Sequence, residues 1–150
     1  MTKMNIELVD SAFVFETVMR VRGTETDMGQ HMTIEALTAS LVEARTRFFY
    51  SRGIKEVNAD YQGLIVNDIA VNVISRARAR EELLYEVGVR NLNHEGGDII
   101  IKVSRMFDTS LVAKAQMGFV CYDYRLNQVI TLNETMLEAL DIRPFEIEGL

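Results

Sequence analysis

A chain of 150 residues, 48% apolar and 25% charged, can bury roughly 70% of the surface its unfolded state exposes, so no disulfide or metal staple is required. The formal net charge of −6 argues against the basic surface of a nucleic-acid binder, and the single cysteine, Cys121, excludes an intrachain disulfide framework. Charges fall where a signal peptide has its apolar core, and no apolar run reaches the ~18 residues of a membrane span, so the chain reads as one cytoplasmic domain over residues 1–150.

Residues 12–22 alternate, with Phe13, Phe15, Thr17, Met19 and Val21 on one face and Glu16, Arg20 and Arg22 on the other. A period of two predicts a strand. The run Glu25-Thr-Asp27-Met-Gly-Gln-His31-Met-Thr33 then sets a carboxylate and an imidazole four residues apart, ahead of a helix. That helix is signalled by Ile34, Leu37, Leu41, Ala44 and Phe48, an apolar stripe at steps of three and four. Thr33 is its expected N-cap, Glu35 suits its first turn and Gly53 its stop. Ala36, Ala39 and Ser40 flank the stripe and let a sheet approach closely.

Extended segments follow at Leu64–Ile74, interrupted by Asn67, Asp68 and Asn72, and at Leu83–Leu92. A turn at 93–98 leads to Ile99–Phe107, and a turn at 108–110 to Leu111–Tyr124. A short strand around Val129–Leu132 precedes a helix, Glu134–Leu140, that Asn133 can cap. Hairpin-length links predict an antiparallel meander and an α+β fold with one long helix on the sheet. A single helix leaves apolar sheet surface uncovered, which predicts oligomerisation.

Thr26-Asp27, His31 and Glu43-Ala-Arg45 also fall, without a gap, on a known pattern: Thr-Asp-x-x-Gly-His-Val-Asn-Asn and a helix running to Glu-Glu-Ala-Arg. Ser75-Arg-Ala-Arg-Ala-Arg80, Val112-Ala-Lys-Ala-Gln116 and Val120-Cys-Tyr-Asp123 follow in matching order. On these residues, over roughly 12–132, the chain resembles the hotdog-fold acyl-CoA thioesterases, in the hydroxybenzoyl-CoA thioesterase-like branch. Gly29 and Gln30 depart from the usual variable residue and glycine, Thr33 from an asparagine, and Leu37 from an aromatic; a proline is missing at Ser75–Ala77. The resemblance implies a sheet wrapped around one central helix and a homodimer or homotetramer. It implies hydrolysis of an acyl-CoA, or acyl carrier protein, thioester without metal or cofactor. Two alternatives are a non-catalytic acyl-CoA-binding hotdog protein and a hotdog enoyl hydratase or dehydratase.

Within that frame Asp27 is the nucleophile or base and His31 the positioning group or acid. A helix N-terminus presents unpaired N–H groups and partial positive charge, so the N–H groups around His31, Met32 and Thr33 are the expected oxyanion donors. Glu35 and Glu43 are fallback carboxylates, Glu43 otherwise serving in an ion pair. Asn67 and Asp68 need partners inside an apolar strand and face either a neighbouring subunit's substrate or solvent. Arg76, Arg78 and Arg80 share a face if extended and suit the phosphates of coenzyme A, unless Glu81 and Glu82 pair with them. Lys102 and Arg105 are weaker candidates. Cys121 reads as core and His94 as an exposed turn residue. No Gly-x-Ser-x-Gly elbow, phosphate loop or zinc-ligand spacing occurs.

Overall fold

The computed structural model describes residues 6–8 and 12–141. Its elements are β1 (Phe13–Arg20), α1 (Ile34–Ser51), β2 (Gln62–Val73), β3 (Glu82–Arg90), β4 (Gly96–Arg105), β5 (Leu111–Asp123), β6 (Gln128–Ile130) and α2 (Glu134–Leu140), with a short 3-10 turn at Gly23–Glu25. Both caps read from the sequence are present: the Thr33 hydroxyl accepts the Ala36 N–H at 3.1 Å, and the Asn133 side chain accepts the Met136 N–H at 2.8 Å. Replacing Thr33 with Ala is expected to cost about 1 kcal/mol of stability, read as a lower urea midpoint; an unchanged midpoint would remove the cap from the account.

α1 buries Leu37, Leu41, Ala44 and Phe48 from the expected stripe, with Ser40 and Phe49 added. Ile34 departs from it: lying in the first turn, it is 48% exposed and borders a cavity. Leu41, Ala44 and Phe48 share the core with Val87, Ile99, Ile101, Ala115 and Met117, all fully buried. Rings lock the helix to both halves of the sheet, Phe15 to Phe48 and Phe49 to Phe119, each at 5.7 Å between centroids.

The sheet is antiparallel in the order β1-β3-β4-β5-β2, with β6 pairing β5. This corrects the expected meander at one place. β2 does not lie beside β3; it pairs with β5, from Gln62↔Asp123 to Val73↔Ala113, and residues 74–81 cross the end of the sheet between them. The crossing is held by the start of the helix, where the Met32 N–H reaches the Ala77 carbonyl at 2.7 Å and Ala77 is buried. Link length alone does not distinguish a hairpin from such a crossover. Gly96 and Gly97, expected in a turn, belong to β4. There β5 passes so close that a Cβ on Gly96 would stand 2.0 Å from the Phe119 carbonyl oxygen.

This order makes β1 and β2 parallel, with α1 returning between them. The end of β1, the start of α1, the end of β2 and the start of β3 therefore meet at one end of the molecule. No described helix is long and apolar enough to cross a membrane.

Candidate active site

At that end the chain doubles back tightly: Thr26 bridges Met32, the Asp27 N–H donates to the His31 carbonyl at 2.9 Å, and the Gln30 N–H to the Asp27 carbonyl at 3.0 Å. Asp27 holds the loop with one oxygen and an arginine with the other. Its Oδ1 accepts the Gly29 N–H (2.9 Å) and the His31 N–H (3.1 Å), while Oδ2 accepts from Arg76 Nη2 at 2.7 Å. The His31 N–H, then Arg76 and the Gly29 N–H, hold the Asp27 carboxyl below the ordinary aspartate range against the opposing effect of desolvation. A Cβ on Gly29 would lie 3.2 Å from His31 Nδ1 and 3.3 Å from Asp27 Oδ1, so imidazole and carboxylate flank the same small space. Gln30, standing where the resembled pattern has glycine, takes the left-handed conformation (φ 63°) that glycine adopts freely.

The expected oxyanion donors are already in use. The His31 N–H is on Asp27, the Met32 N–H on Ala77 and the Thr33 N–H on Glu25, while Ala36 and Leu37 donate back to Thr33. The Ile34 and Glu35 N–H groups carry no hydrogen bond to the described residues, so the open donors lie one step further into the helix.

The three arginines do not form one extended row. Arg76 reaches Asp27, the main chain of Arg78 bridges His31, and Arg80 sits in a turn at φ 73°. Neither Glu81 nor Glu82 pairs with their guanidinium groups: Glu81 binds Arg105 and the Arg78 N–H, and Glu82 binds Arg20. Arg105 was read only as a weak phosphate candidate. Instead its guanidinium ties down the crossover, reaching Glu81 (2.7 Å), Ser75 Oγ (2.8 Å), Ser110 Oγ (2.9 Å) and the Arg76 carbonyl (3.0 Å).

Asn67 and Asp68 occupy a bulge in β2, where Asp68 Oδ1 accepts the Gly118 N–H at 3.0 Å. Gly118 alternates with the buried Met117 and Phe119, which puts Asp68 on the sheet face away from α1; within one chain it does not join Asp27. Glu43 pairs with Arg47 along the helix at 3.0 Å, and Glu35 is exposed. Cys121 is core, its thiol pushed up by burial, and His94 is exposed.

Arg76 borders a cavity of about 320 Å³ with Met32, Ile34, Leu37, Val73 and Val112. A second cavity, about 330 Å³, lies at the other end of β2, between its first residues and the C-terminal half of α1. Arg45 lines it, and its Nε is buried without a hydrogen-bond partner among the described residues. In the sequence Arg45 stands out as a cation next to Ala44 on the apolar stripe. The largest of these cavities, about 700 Å³, opens on the β1 side of α1 above the Tyr85–Ser40 hydrogen bond and shares Met32 with the cavity that Arg76 borders.

The sequence profile of the thioesterase-like superfamily matches residues 21–140. No curated protein matches the chain by sequence. Among solved structures, a 1,4-dihydroxy-2-naphthoyl-CoA thioesterase from Synechocystis is similar with TM-score 0.76 at 16% identity, covering 84% of this chain and 94% of its own. A probable thioesterase from Escherichia coli gives 0.74 at 23% identity, covering 84% and 96%. A Staphylococcus aureus protein in complex with CoA gives 0.79 at 12% identity, covering 89% and 85%. These likenesses establish the fold, a hotdog sheet wrapped around a central helix.

Proposed function

The chain belongs to the thioesterase-like superfamily, and from that premise we propose that it hydrolyses an acyl-CoA thioester to free acid and thiol at the Asp27 loop. The observation that carries this reading is the Asp27 carboxylate itself. One oxygen is fixed by two N–H groups and the other is held only by an exposed arginine, next to the open N–H groups of a helix start. An ion pair this exposed is weak and readily exchanged, so an anionic substrate can draw Arg76 away and free Oδ2. Asp27 then attacks the carbonyl carbon directly or takes a proton from the water that does. The carbonyl oxygen gains charge facing the Ile34 and Glu35 N–H groups. Collapse breaks the C–S bond, and His31 protonates or positions the departing thiolate; on the direct route a water then cleaves the acyl anhydride left on Asp27, releasing the free acid and restoring the carboxylate.

Arg78 and Arg80 are exposed, with side chains making no ion pair among the described residues, which supports assigning them, with Arg76, to the phosphates of coenzyme A. The CoA-bound relative of the same fold supports that partner. Among the described residues β2 is the last strand on its side of the sheet, which supports a homodimer in which two such strands join about a two-fold axis; a homotetramer would add a second interface.

Asp27 is active when ionised, and its carboxyl is held low, so activity should persist into acid and fall only as pH drops through that depressed value. Arg76→Gln removes one of the contacts that lower it. The acid limb of the kcat/KM profile is therefore expected to move upward in pH, and an unmoved limb would separate Asp27 from the rate. The full occupation of Asp27 by hydrogen bonds also favours a second reading, a non-catalytic acyl-CoA binder. Calorimetric binding of an acyl-CoA without release of free thiol would select it.

A further inference from the structure

Arg45 is a half-buried cation that this mechanism leaves unused. Its guanidinium lies beside the Phe49 ring (5.7 Å), reaches only Thr46 Oγ at 3.4 Å, and has no carboxylate in an ion pair; Glu56 is its charged neighbour. Desolvation lowers its pKa, and its Nε has no acceptor among the described residues. A buried donor left unmatched is costly, so the cavity it lines is built for something that brings an acceptor. Phe49, Ile54, Leu64 and Val66 supply an apolar wall beside Arg45, while Lys55 and Glu56 also line the cavity. The space suits a hydrocarbon body with one anionic end.

Within one chain Arg45 lies twelve residues beyond the helix cap, roughly 18 Å along the axis, too far for a short acyl group held at Asp27. A two-fold pairing of β2 edges is antiparallel, so it brings the start of β2 in one copy beside the end of β2 in the other. The two cavities lie at opposite ends of β2, so such a pairing sets the Arg76-lined end of one subunit toward the Arg45-lined end of its partner. Resting on the thioesterase dimer proposed above, we infer that the partner's Arg45 grips the far end of the acyl group and that this end is a carboxylate. The planar guanidinium binds such a group bidentately, which makes the preferred substrate the coenzyme A thioester of a dicarboxylic acid.

Two matched thioethers that cannot be hydrolysed, S-hexyl-CoA and S-(ω-carboxypentyl)-CoA, test this by calorimetry. The carboxylate-ended ligand is expected to bind about tenfold or more tighter. Arg45→Met should abolish the difference and Arg45→Lys keep part of it. Because Arg45 Nε is buried without an acceptor among the described residues, Arg45→Met should also hold or raise the melting temperature; a structural role would lower it. Equal binding of both thioethers, or a carboxylate preference that survives Arg45→Met, overturns the inference alone. Binding of neither overturns the coenzyme A reading with it.

Discussion

Asp27→Asn is expected to lower kcat for acyl-CoA hydrolysis by about a hundredfold to ten-thousandfold, the range for a positioned acid–base group. The substitution is sparing elsewhere. The amide oxygen of Asn still accepts the Gly29 and His31 N–H groups, so the loop keeps its shape, and Asp27 is partly exposed, so little stability rests on it. What is lost is the charge that binds Arg76 and the basicity at Oδ2. A fall in kcat with KM and melting temperature nearly unchanged is the expected signature. Turnover at the wild-type rate across short, long and aromatic acyl-CoA esters would remove Asp27 from the chemistry.

The second large effect is expected at Arg105, which never touches substrate. Its guanidinium serves Glu81, Ser75, Ser110 and the Arg76 carbonyl at once, and only 15% of the side chain is exposed. Arg105→Met strands the Glu81 carboxylate, itself 26% exposed. Breaking a fully buried pair costs about 3–5 kcal/mol, and this partial access to water brings the expected loss to about 2 kcal/mol. Arg105→Lys should recover little, because an ammonium cannot present the planar fork that spans these acceptors. Since Arg105 fixes the crossover carrying Arg76 and Arg78, KM for the thioester should rise more than kcat falls. A variant with wild-type urea midpoint and wild-type KM would show that the crossover holds itself.

What the sequence made legible was local. The period-two run of β1, the three-and-four stripe of α1 and the Thr33 and Asn133 caps each depend on residues a few positions apart, and each stands where the pattern places it except Ile34 in the first turn of α1. The partner of β2 depended on contacts between residues far apart in the chain. Apolar composition suits β2 for either neighbour, and residues 74–81 cross over where Ala77 is buried against the helix start and Arg105 ties the segment down. The candidate site divides the same way. Asp27 and His31 are neighbours in sequence and face one another across Gly29. That Arg76 closes on Asp27, that Arg105 anchors the crossover, and that the helix-start donors are shifted to Ile34 and Glu35 all follow from tertiary hydrogen bonding that no spacing rule encodes.

The account stands on where the reacting carbonyl lies, and a crystal structure with S-acetonyl-CoA, a ketone in place of the thioester, locates it. The expected complex has the ketone oxygen within hydrogen-bond distance of the Ile34 or Glu35 N–H, with Asp27 Oδ2 beside the carbonyl carbon and Arg76 turned to a phosphate. A ketone seated elsewhere, with the Asp27–Arg76 pair intact, would contradict it.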